Sequence, residues 1–274
     1  MTRGDNAQRA VDLFHRLRTD MRLDASTAWK AIARMLLTCE VWGDGGWRAF
    51  HGVVVHRERN DLKLTPGGKP SAALRHAQRL SIYLAGELGC EPSAICAEVG
   101  LYFRDPMIRT LQPNNLLGHA FRSLVTECLK TWGSPAIRYE EEVDPRDLYP
   151  GARFETRSKN PRVDIVAFKG REVAALISCR WRYRHDRVDV PDEAMAYMPS
   201  ARRENRSTRF YGVVGEFAPV RLAKMLKFAD PDANPVINAI VHFNPALVRE
   251  GIGANGSIAS LKSLHWLVEQ THRW

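Results

Sequence analysis

Along the first hundred or so residues the apolar positions recur every three to four places, the spacing of a helix face. Ala10, Phe14, Leu17 and Met21 predict a surface helix over residues 7–21. Trp29, Ile32, Ala33, Leu36 and Leu37 predict a second, opened by Asp24 or Ser26 as N-cap and ended by Gly43 to Gly46. A short apolar patch, Phe50 to Val55, leads into a loop at Pro66-Gly67-Gly68 whose basic residues read as a solvated face first and a DNA-backbone contact second. Leu74, Ala77, Leu80, Leu84 and Leu88 then mark a helix from about Pro70 that Gly89 stops, and a shorter one runs from Pro92 to Leu101. Residues 1–112 thus read as a helical N-terminal lobe.

From residue 113 the pattern alternates between two periods. Leu117, Phe121, Leu124 and Cys128 form a helical stripe, capped by Asn114 or Asn115 and closed by Gly133. A strand is expected at Ile137 to Glu142. Val163 to Phe168 and Val173 to Trp181 read as a hairpin turning at Lys169-Gly170. Next come a helix over 192–203, a strand at Arg209 to Gly215, a helix at Val220 to Phe228, a buried strand at Val236 to Phe243 and a closing helix at Ser257 to Glu269. Strands alternating with helices after a hairpin predict an α/β core, a mixed central sheet flanked by helices, over residues 113–274.

The hairpin concentrates the chemistry. Side chains alternate along a strand, so Leu176, Ser178, Arg180 and Arg182 share one face, with Ile177, Cys179 and Trp181 on the other. Pairing in the hairpin brings Asp164 of the first strand toward Ser178 and Arg180 of the second, and Asp192 and Glu193 follow shortly after.

Composition narrows the classes. The 274 residues are 45% hydrophobic, enough for a substantial core, and carry 40 Lys and Arg against 31 Asp and Glu, a formal charge of +9. That balance favours a polyanionic partner. No apolar run approaches the roughly 20 residues of a membrane span, and the N-terminal stretch MTRGDNAQRA lacks the apolar centre of a signal peptide, so the protein is expected in the cytoplasm. Cys39, Cys90, Cys96, Cys128 and Cys179 show neither CxxC pairing nor an accompanying His pattern, which argues against a zinc site or a disulfide framework.

Asp164, then Ser178-Cys179-Arg180-Trp181, then Arg184-His185-Asp186-Arg187, then Glu193 resembles the PD-(D/E)XK nucleases. Within them it is similar to the type II restriction endonucleases of the branch that cuts sites containing CCGG. That branch has Ser in place of the second strand acid, a Glu from the following helix replacing it in space, and an Arg-x-Asp-Arg element after the catalytic Lys. The resemblance covers about thirty residues and implies a restriction-endonuclease-like core. It assigns catalysis to Asp164, Ser178, Arg180 and Glu193, and Mg²⁺ to Asp164, the Cys179 carbonyl and Glu193. One departure is plain: Arg180 stands where the family has Lys. Arg keeps its charge, with a pKa above about 12, and cannot serve as a base, but it can hold a phosphate oxygen.

Beside Glu193, the acids Glu127, Glu155 and Asp192, and those of the Ile137–Glu142 segment, stand as alternative second carboxylates. Arg182, Arg184, His185, Asp186 and Arg187 are the candidate DNA-binding residues. Arg suits guanine O6 and N7, and Asp suits the cytosine amino group. The expectation is a Mg²⁺-dependent type II restriction endonuclease on double-stranded DNA at a short G·C-containing site. It implies a homodimer or tetramer mirroring a palindromic site and a partner DNA methyltransferase. The alternatives are a catalytically weakened or silent DNA-binding protein on the same scaffold and a repair or RNA nuclease without sequence preference.

Overall fold

The computed structural model describes residues 5–33, 82–91, 94, 113–154, 160–181, 189–229, 236–251, 256 and 258–274. Helices α1 (Asp5–Asp20), α2 (Trp29–Ile32) and α3 (Pro113–Trp132) precede strand β1 (Ile137–Val143) and a short helix α4 (Pro145–Leu148). Then come β2 (Val163–Lys169), β3 (Glu172–Arg180), α5 (Asp189–Glu204), β4 (Arg209–Val214), α6 (Pro219–Leu226), β5 (Ala239–His242), β6 (Lys262–Ser263) and α7 (Leu264–Thr271). The six strands form one sheet in the order β1-β2-β3-β4-β5-β6. β1 with β2 and β2 with β3 pair antiparallel, whereas β3 to β6 are mutually parallel. The expected α/β architecture, a mixed sheet flanked by helices, is therefore the architecture observed.

Helices cover both faces, which is why the central strands are apolar nearly throughout rather than alternating. On one face Ile165, Ala167, Ile177, Cys179, Trp181, Tyr211 and Val213 meet α1, α3 and α7. On the other, Val166, Phe168, Leu176, Phe210, Val214 and Ile240 meet α5 and α6. Phe14 and Leu17 of α1, Ile32 of α2 and Leu84 of the helical stretch 82–88 belong to the first of these cores. The expected split of β3 side chains, Leu176 to one side and Ile177, Cys179 and Trp181 to the other, holds.

Several boundaries differ from the pattern-based ones. The hairpin turns over Gly170-Arg171, because Lys169 pairs with Glu172, and Gly170 takes the left-handed φ of +61° that the reversal needs. Helix α5 opens at Asp189, so Glu193 lies in its second turn rather than its first. β5 is shorter than the β-branched run around it. The stretch expected as one closing helix is divided: Ile258 and Leu261 lie in a turn against the α5–α6 core, and Ser263 pairs in β6 and caps α7 by accepting from the Trp266 backbone N–H at 3.1 Å. Helical spacing of apolar residues does not register a change of direction between them. The expected helix over 92–101, the patch at 50–55 and the loop at 56–69 lie largely or wholly outside the described residues. Among those described, no helix is long and apolar enough to cross a membrane.

A buried titratable group closes the second face. His242, at the end of β5, is fully buried, its Nδ1 accepts from the Asn244 backbone N–H at 3.0 Å, and burial depresses its pKa from 6.5 to about 3. Above pH 6.5 folded and unfolded states are both neutral here. Below it the unfolded chain takes a proton that the native state refuses, so stability falls as pH drops from 6.5 toward 3, by up to about 1.4 kcal/mol per pH unit. Urea unfolding of wild type and His242→Gln between pH 7 and pH 4 is expected to show a shallower acid dependence in the variant. Parallel pH profiles would contradict it.

Candidate active site

Sheet register places Asp164, near the start of β2, beside Ser178 on β3. Ala167 pairs with Ala175 but Phe168 pairs with Val173, so one residue is inserted on β3 between them. That bulge moves the rest of the hairpin on by one position, and the register from Ile165↔Ile177 continues to Asp164 and Ser178. Without it Asp164 would stand opposite Ile177.

Arg180 ends β3, at the carboxyl edge of the parallel strands, where open α/β sheets bind their ligands. Its Nη1 donates to Asp164 Oδ2 at 2.5 Å and to the Cys179 carbonyl at 2.8 Å, and its Nη2 donates to Glu193 Oε1. The Cys179 backbone N–H donates to the same Asp164 Oδ2 at 2.8 Å. Two acids and a main-chain carbonyl, from three separate elements, thus converge on one guanidinium. The three side chains retain 15% (Asp164), 24% (Arg180) and 19% (Glu193) of their exposure, so the cluster is partly desolvated yet open to a ligand from solvent.

Helix α5 brings Glu193 there. Val190, Ala194, Tyr197, Met198 and Ala201 form its buried stripe, and Glu193 stands at the edge of that stripe. A Cβ on Gly212 of β4 would lie 2.5 Å from Val190 Cγ1 and 3.0 Å from Ile240 Cδ1. The missing side chain therefore lets the first turn of α5 lie directly on the sheet. The Tyr197 phenol, one turn beyond Glu193, has its pKa pushed up by burial and by the Glu193 and Asp164 carboxylates.

The other expected residues are placed differently. Ser178 shares the site face, but its Oγ is buried and has no hydrogen-bond partner among the described residues. Cys179 offers the site only its backbone: its side chain lies in the opposite core, and burial, then the Asp164 charge, pushes the thiol well up, so no thiolate chemistry is available. Asp192 lies in the first turn of α5 beside Glu193 and is half-buried. Arg182, Arg184, His185, Asp186 and Arg187, and Glu155, lie outside the described residues.

Three alternative acids are turned elsewhere. Glu127 is turned toward α1. It is buried on the α1 side of α3, pairing with His15 at 3.2 Å and Lys130 at 3.7 Å. Glu141 and Glu142 both reach Arg122 of α3, at 3.3 and 2.5 Å, and Ser123 Oγ donates to Glu141 at 3.0 Å. Glu142 does so because its φ of +55°, a left-handed value rare for a non-glycine residue, breaks the strand alternation. Arg122 was missed by the pattern reading. Its only signal was a charged residue next to Phe121 on an otherwise apolar helix face.

Two carboxylates and a carbonyl are the hard oxygen donors that suit Mg²⁺, and a cationic group already stands among them, so the residues fit such an ion at the point the guanidinium now holds. Among the described residues no group of three or more His, Cys, Asp or Glu side chains is arranged to hold a metal. No protein-family model matches the chain, and no curated protein and no solved structure matches it either.

Proposed function

We propose that the chain is a site-specific endonuclease of the type II restriction class that acts on double-stranded DNA in the cytoplasm. The observation that carries this reading is the convergence of Asp164, Arg180 and Glu193 at the carboxyl edge of the sheet, from the hairpin and the following helix. Asp164, the Cys179 carbonyl and Glu193 would hold Mg²⁺, which when bound neutralises phosphate charge and lowers the pKa of an attacking water. Asp164 is oriented by the Cys179 N–H, Glu193 by the seating of α5 over Gly212. Arg180 holds a phosphate oxygen; it moves no proton. The net charge of +9 supports a DNA partner, and a homodimer or tetramer would match a palindromic site protected by a partner methyltransferase.

Arg184, Asp186 and Arg187 are assigned to base reading. Replacing Arg184 or Arg187 by Ala is expected to weaken binding to the cognate duplex by about 1–3 kcal/mol and to relax discrimination at one base pair. Competition binding in Ca²⁺ against single-base variants checks it, and a uniform loss across all duplexes would reduce these residues to phosphate contacts.

A second reading has one observation in its favour: the guanidinium engages the oxygens that a metal would need, as suits a DNA-binding protein that does not cut. Incubating the purified chain with a defined plasmid and Mg²⁺, then sequencing the ends, separates the two. Ends at one short G·C-containing site support the nuclease; retained but uncut plasmid supports the silent binder; neither binding nor cutting rejects both.

A further inference from the structure

The two acids that would hold a divalent cation already hold a cation. Arg180 Nη1 lies 2.5 Å from Asp164 Oδ2 and 2.8 Å from the Cys179 carbonyl oxygen, and Nη2 bonds Glu193 Oε1, so one fork serves all three oxygens. We infer that Arg180 is a built-in counter-cation that competes with divalent metal ions for the Asp164 and Glu193 pair, so that metal binds only by displacing the guanidinium. The inference rests on reading this cluster as the cation site of a phosphodiesterase, and it adds how that site is controlled.

Three physical points support it. Mg²⁺ needs oxygens at about 2.0–2.1 Å in near-octahedral directions. The oxygens it would take from these residues already accept N–H donors from Arg180, and an ion and a guanidinium do not share that space. Second, two partly buried carboxylates aimed at one point repel each other, and a positive charge between them offsets that repulsion. Third, Arg supplies that charge at every working pH, since its pKa lies above about 12, and its planar fork gives each acid its own nitrogen. A Lys would bring one nitrogen, compact and strongly hydrated, which an incoming ion dislodges with fewer bonds to break.

The test uses the full chain stripped with EDTA, without DNA, and Mn²⁺ as the probe, with bound Mn²⁺ followed by its electron paramagnetic resonance and the protein by thermal melting. Arg180→Met removes the charge and keeps much of the stem. It is expected to bind one Mn²⁺ about tenfold or more tighter than wild type, the scale of partly screened charged hydrogen bonds no longer competing. Mn²⁺ should raise its melting temperature while leaving that of wild type nearly unchanged, and Arg180→Lys should fall between. Adding Asp164→Asn to Arg180→Met should remove the gain, which ties it to this pair. Equal Mn²⁺ affinity in wild type and Arg180→Met, or a gain that survives Asp164→Asn, overturns the inference. If Arg180→Met folds only in Mn²⁺, that dependence itself supports it; if it does not fold at all, the comparison of Arg180→Lys with wild type decides. Failure of the plasmid assay leaves this result standing, because neither DNA nor cleavage enters it.

Discussion

If the chain is the Mg²⁺-dependent nuclease proposed above, Asp164→Asn is expected to abolish cleavage while leaving the fold and DNA binding nearly intact. The carboxylate sits where the β2 start faces β3, accepting from the Cys179 N–H and from Arg180 on the same oxygen. An amide of the same shape keeps an acceptor for the Cys179 N–H but loses the charge. The Lewis-acid stabilisation that a bound Mg²⁺ would supply, worth several kcal/mol, would be lost with it, and at about 1.4 kcal/mol per decade that is on the order of 10³-fold or more in rate. Asp164→Ala should do the same to the rate and also cost about 1–3 kcal/mol of stability, because the Cys179 N–H is left without its side-chain acceptor. Single-turnover cleavage and urea unfolding of the two variants separate charge from structure. Residual Mg²⁺-dependent cutting by Asp164→Asn near the wild-type rate would remove Asp164 from the site.

Gly215→Ala is expected to be the most damaging small substitution near the site. A Cβ at 215 would stand 2.3 Å from Trp181 Cε3, 2.6 Å from Cζ3 and 3.0 Å from Cδ2. The indole is buried and cannot retreat: it stacks on Phe243 at 5.9 Å and meets Phe121 and Phe217 edge-on at 5.4 and 5.8 Å. Overpacking of this kind costs about 1–3 kcal/mol or more, and roughly 5 °C in melting temperature for a chain of this size. The damage reaches the site, since Trp181 follows Arg180 directly and the Gly215 N–H donates to the Arg180 carbonyl at 2.9 Å. In a Trp181→Leu background the ring atoms are gone, and Gly215→Ala should become nearly neutral. An equal cost in both backgrounds would place the cause elsewhere.

The sequence by itself determined the architecture and much of the site. Period-two and period-3.6 apolar patterns on either side of the hairpin predict a mixed sheet between helices, because each element must bury its apolar face against another. Alternation along β3 put Ser178 and Arg180 on one face, and spacing put Glu193 on the helix that follows. Tertiary structure decided the rest. The bulge that sets Asp164 beside Ser178 is one residue that no alternation rule announces, since the bulged strand is apolar on both faces. Gly212 and Gly215 matter through atoms of Val190 and Trp181 across the fold. Glu127 and Glu142 read as alternative site acids, and only the fold turns them to α1 and Arg122. Above all, the meeting of one guanidinium with two acids and a carbonyl depends on where three elements end relative to one another, a distance that local sequence does not encode.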